Sequence, residues 1–167
     1  MTSITGESGA APTGDSGAAA AIAHLVPLAE FRYQLRRFLS FSEASAERAG
    51  VAAQQYQLLQ VIAAMPAGTS ASITLLAERM ILRHNSAVEL VDRAERAELV
   101  RRESDESDLR RSIITLTPKG AKILDTMVAE HIAELHKLSP DIVNALNSVL
   151  NTTQKTVAES LPEASSH

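Results

Sequence analysis

Residues 72–117 read SITLLAERMILRHNSAVELVDRAERAELVRRESDESDLRRSIITLT, and the fold turns on the point in this stretch where the apolar period changes. Up to residue 97 the apolar positions recur every three or four residues, as on a helix. ITLLAERM (73–80) makes one short helix, which Ser72 is placed to cap. RHNSAVELVDRAERA (83–97) makes a second, with Ala87, Leu90, Val91 and Ala94 as its core face. Two short helices joined by a tight turn form a helix-turn-helix pattern. From Leu99 the pattern becomes strand-like: LVRRE and SIITLT are apolar and β-branched, and the charged ESDLRR lies near the tip between them. Thr117-Pro118 then closes this hairpin as a helix N-cap followed by proline in the first helical position.

Outward from this centre, Leu28, Phe31, Leu35, Phe38 and Leu39 trace a helical stripe toward the N-terminal side. A second helix follows Gly50, with Val51, Gln55, Leu58, Leu59 and Ile62 on one face, and ends before Pro66. Beyond the hairpin, Ile123, Leu124, Met127, Val128, His131, Ile132 and Leu135 continue one helix. Ser139-Pro140-Asp141 repeats the start signal for another, traced by Ile142, Leu146, Val149, Leu150, Thr153 and Val157. The expected fold is mainly α: a winged helix-turn-helix whose long flanking helices form a dimerisation domain, because their apolar stripes exceed what so small a core can cover. Its expected layout is a polar, glycine-rich disordered tail at 1–20, a domain at 21–159 and a short tail at 160–167. Within the domain the helix-turn-helix takes 72–97, the wing 99–117, and the dimerisation helices 25–45 and 118–159.

Composition narrows the function. The 167 residues are 45% hydrophobic but only 3% aromatic, and the net charge of −4 gives no global nucleic-acid signature. Cysteine is absent, which removes thiolate nucleophiles, disulfides and cysteine-ligated zinc. His131 and His136, five residues apart, splay around a helix and do not suggest a metal site. No catalytic triad order, phosphate loop or carboxylate pair stands out, so neither an enzyme nor a cofactor is expected. The apolar run at 18–29 lacks a basic n-region and is too short to span a bilayer. The expected location is cytoplasmic, without a membrane partner.

The blocks LAERM, LVDR, LV-R, D-x-R and LTPKG, in this order and at these spacings across roughly residues 25–158, resemble the MarR family of bacterial transcription regulators. The resemblance implies a homodimer joined through its first and last helices. Each subunit would place one helix in a major groove and its wing along a neighbouring minor groove of a double-stranded, pseudo-palindromic DNA operator. It further implies repression that a small, often phenolic, anionic effector releases. Arg110 matches the wing arginine of D-x-R, and Asp92 of LVDR is the residue that would pair with it. Three positions depart from the pattern. Ala97-Glu98 stands where a glycine often separates recognition helix and wing, Ser107 replaces a wing arginine, and Leu75 replaces a capping-box acid. If Glu98 keeps the left-handed conformation of that glycine, the cost is on the order of 1 kcal/mol.

With the core face of residues 83–97 inward, Asn85, Val88, Glu89, Asp92 and Arg96 point outward, Ser86 and Arg93 lie on one flank, and His84 sits in the first turn. Asn can pair with adenine and Glu can accept from cytosine, while Ser, His and Arg can reach phosphate or guanine. At the wing, Arg110 and Arg111 suit a narrow, electronegative minor groove. The acids around them, Asp108 included, position these arginines rather than touch phosphate. From Arg79 to Arg111 eight arginines balance eight acids, so modest and strongly salt-sensitive affinity is expected. Phe31, Arg32, Arg36, Tyr56 and His131 are the candidates for a ligand pocket where the resemblance places one. The competing reading is a dimeric small-molecule-binding or protein-interaction module whose winged helix does not read DNA.

Overall fold

The computed structural model describes residues 15–104 and 112–160. Its elements are α1 (Asp15–Arg48), α2 (Ala53–Ala63), α3 (Ile73–Arg79), α4 (His84–Arg96), β1 (Val100–Ser104), β2 (Ser112–Leu116) and α5 (Pro118–Ser160). The fold is mostly helical with one small antiparallel sheet, as expected.

Two boundaries differ from the sequence reading. α1 begins at Asp15, inside the stretch expected to be a tail. The segment there is rich in alanine, the residue with the highest intrinsic helix propensity, which favours extending the helix. The start signal Ser139-Pro140-Asp141 opens no new helix: α5 runs 43 residues with Pro140 inside it. A proline removes one backbone donor and crowds the carbonyl four residues earlier, but Leu138 and Ala145 near it are buried. Packing outweighs local propensity there.

The chain divides into two compact units, Met1–Arg36 with Leu138–His167, and Arg37–Lys137. In the first, Gln34, Leu138 and Ala145 are buried, while Ile22, Leu25, Val26, Val143, Leu146 and Leu150 are exposed. In the second, Tyr56, Leu58 and Leu59 of α2, Leu76 of α3, Leu90, Val91 and Ala94 of α4, and Leu99, Val100 and Ile114 of the wing share one core with Leu124 and Met127. The wing strands pair antiparallel from Val100↔Leu116 to Ser104↔Ser112. Ser72 adds a bridge to Ile113, and Ile114 N–H donates to the Ala71 carbonyl at 2.9 Å, which ties the hairpin to the start of α3.

Caps fix the element ends. Ser72 Oγ accepts from Leu75 N–H, and Thr117 Oγ accepts from Gly120 N–H, so both expected N-caps are present. Gly120 is required by space, since a Cβ there would lie 2.1 Å from the Leu99 carbonyl oxygen. Three helices end in the same Schellman arrangement. Val51 N–H donates to the Ala46 carbonyl after α1, Leu82 to Ala77 after α3, and Leu99 to Ala94 after α4. The left-handed residue in each is Gly50 (φ 73°), Ile81 (φ 55°) and Glu98 (φ 60°). Glycine enters that region freely, whereas other residues lose about 1–2 kcal/mol there.

Candidate nucleic-acid interface

α4 buries Ala87, Leu90, Val91 and Ala94 and exposes His84, Asn85, Ser86, Glu89 and Arg93. Of the face drawn from the sequence, Asn85, Glu89 and Arg96 are exposed, whereas Val88 and Asp92 are half-buried, Asp92 because β1 packs beside it and Arg102 reaches its carboxylate. Arg83 at its N-cap makes no side-chain cap, so the first backbone N–H groups are not taken by that side chain. Beside them an open groove of about 550 Å³ is lined by Ser72, Ile73, Thr74, His84 and Ser112. It brings the start of α3, the start of α4 and the start of β2 onto one side of the molecule.

The wing is locked to α4 by a residue for which the sequence suggested no role. Arg102, the second arginine of LVRR, sends Nη2 to Asp92 Oδ1 at 2.5 Å and Nη1 to Glu95 Oε2, while its backbone N–H donates to Glu95 Oε1 at 3.2 Å. The hydrogen bond to Asp92, then the fields of Glu95 and Asp92, raise the guanidinium pKa further against the opposing effect of burial. Asp92 thus engages β1 at Arg102. Arg110, its expected partner, lies outside the described residues together with Asp108 and Arg111. The sequence signal for the knot was present: Asp92 and Glu95 stand three apart on one flank of α4, directly before a strand that carries arginines. On the outer side of the sheet Arg101 Nε donates to Thr115 Oγ1 at 3.2 Å and pairs with Glu103 at 2.6 Å. Lys119 Nζ donates to the Ala97 carbonyl at 2.8 Å and lies 3.7 Å from Glu98, which braces the left-handed turn that launches the wing.

The five ligand candidates divide between the two units. Phe31 is half-buried and Arg32 and Arg36 are exposed on α1 in the first unit. In the second, Tyr56 and His131 are buried and their rings pack at 4.7 Å, with Phe38 and Phe41 edge-on to the imidazole. His131 Nδ1 donates to the Met127 carbonyl at 2.7 Å, which leaves Nε2 to meet Ser42 Oγ at 2.9 Å. Burial pushes the Tyr56 hydroxyl pKa up, partly offset by the hydrogen bond from Gln60. These two residues are brought together as a satisfied polar core. Nearby, Glu130 accepts from Ser45 at 2.6 Å and Arg48 at 3.3 Å, and these partners, Ser45 first, hold its carboxyl below the ordinary range. Among the described residues no group of histidines and acids could hold a metal ion, and no helix is long and apolar enough to cross a membrane.

Two helices, a tight turn and a hairpin bridged back to the first of them define a winged helix-turn-helix protein. Residues 49–111 match the sequence model of the MarR family. Among solved structures, the chain is similar to AbsC, a MarR family transcriptional regulator from Streptomyces coelicolor, at 20% identity over 90% of this chain and 100% of that one, with a TM-score of 0.61. It is also similar to S. aureus MepR in a complex with DNA (20% identity, 78% and 95% covered, TM-score 0.60). The apo form of MarR from E. coli aligns at 17% identity over 75% and 92%, with a TM-score of 0.57. No curated protein matches the chain in sequence. The family model covers the helix-turn-helix and the first wing strand, and the likeness to these solved structures shows the winged-helix fold.

Proposed function

We propose that the chain is a dimeric, sequence-specific DNA-binding transcription regulator, a repressor released by a small anionic effector, and not an enzyme. The observation that carries the reading is the polar face of α4, exposed from His84 to Arg93 and held by Arg102 at a fixed angle to the wing. A recognition helix needs both properties: side chains free to meet base edges, and a rigid link to the element that follows the backbone. MepR, of the same fold, was solved bound to DNA. In this reading Asn85 and Glu89 face bases, His84, Ser86 and Arg93 reach phosphate or guanine, and Arg110 and Arg111 enter the minor groove with Asp108 positioning them. Leu146 and Leu150, exposed on α5, meet a second copy of the chain, and Phe31, Arg32 and Arg36 receive the effector.

The balanced charge from Arg79 to Arg111 favours the second reading, a module that keeps the fold without reading DNA. A fluorescence-anisotropy titration with labelled duplexes from the region upstream of its own gene separates the two. The regulator binds one duplex well above a scrambled duplex of equal length. The module binds neither.

A further inference from the structure

We infer that Ile81, in the turn between α3 and α4, is an apolar DNA-contact residue that presses on the non-polar surface of the duplex beside the recognition helix. The inference rests on the DNA-binding reading above and adds to it a residue for which neither helix face accounts.

The chain solves the same backbone problem three times and uses glycine only after α1. At Gly50 an added Cβ would meet nothing within 4 Å, so glycine there serves conformation alone. After α3 the equivalent position holds a β-branched side chain at φ 55°, the residue type for which a left-handed backbone is most unfavourable. Burial does not offset that strain, because Ile81 is 93% exposed, the most exposed of the large hydrophobic residues described. Its neighbours Met80 and Leu82 both turn inward against the core, so the turn is anchored on either side and projects Ile81 outward. Glu98, the other non-glycine case, has Lys119 within 3.7 Å.

Strain kept at an exposed position, with no gain inside the fold, points to a contact made outside it. The turn leads directly into His84, Asn85 and Ser86, all exposed, and residues at the start of a recognition helix are those that meet base edges. An isoleucine offers no hydrogen bond. What it can recognise on a duplex is a thymine methyl or the carbon face of a deoxyribose.

The test measures stability and binding in the same set of proteins. Ile81→Gly should raise Tm by about 2–4 °C while weakening operator binding about five- to tenfold. Ile81→Asn, which tolerates the left-handed backbone, should also bind weakly, and Ile81→Val should bind like the parent. Replacing thymines of the operator one at a time by deoxyuridine removes single methyl groups. One such duplex that weakens the parent but not Ile81→Gly identifies a thymine methyl, and no such duplex assigns the contact to deoxyribose. If the parent binds the operator and Ile81→Gly binds it equally well, the inference is overturned. A parent that binds no DNA defeats the underlying reading instead.

Discussion

Arg102 of β1 and Asp92 of α4 are joined at 2.5 Å, and Glu95 one turn on takes the other arm of the same guanidinium. These contacts tie the hairpin to α4. The angle between them depends on two acids and one arginine, none of which faces outward alone.

Asp92→Ala and Arg102→Ala should each weaken operator binding and loosen the wing, and the double variant should lose less than the sum. All three side chains are partly exposed, so solvent screening holds the Asp92–Arg102 coupling to about 0.5–1 kcal/mol. Hydrogen exchange at Val100 to Ser104 reads the loosening directly. Additive losses and unchanged exchange would show that the pair does not set the wing.

Glu98 carries a left-handed backbone, so Glu98→Gly should stabilise the fold by up to about 1 kcal/mol. Gly50→Ala should destabilise it by about the same amount. Thermal unfolding of both proteins checks the pair. A loss on Glu98→Gly would mean that the Lys119 contact outweighs the strain.

The α4 face was legible because an amphipathic helix encodes its buried side in its period, and Ala87, Leu90, Val91 and Ala94 are buried as spaced. Ser72 and Thr117 were legible as caps for a similar reason: capping is local chemistry. The unbroken α5 was not, because Pro140 is a strong local signal and the burial of Leu138 and Ala145 that overrides it is tertiary. Arg102 was missed because Arg101 and Arg102 are alike in sequence. Only the strand pleat decides that one turns toward α4 and the other toward Thr115.

Glu130 should make acid stability pH-dependent. Its folded pKa lies below the ordinary value of 4.5, held there by Ser45 and Arg48. The stability it lends is fully present above that value and is lost as pH falls through the folded pKa. Comparing Tm with Glu130→Gln across pH should show a difference at neutrality that shrinks below pH 4.5. A difference constant down to the acid limit would assign the effect to packing instead.

Leu146 and Leu150 are 40% and 52% exposed in the single chain, so charging them disturbs little of its own core. Leu146→Asp with Leu150→Asp should give a folded monomer, because a buried dimer contact cannot hold unpaired carboxylates. Light scattering gives the mass and circular dichroism the helix content. An unchanged dimer would place the interface on another surface.

The most direct test of the central claim is an operator titration at two salt concentrations with the parent and with Asn85→Ala and Arg93→Ala. The account predicts that parental affinity falls steeply with salt. Arg93→Ala should reduce that slope by about one, having lost a phosphate contact. Asn85→Ala should keep the slope but lose about 1–3 kcal/mol at one base pair. Salt-independent binding, or three proteins with indistinguishable curves, would contradict the assignment of α4 as the helix that reads DNA.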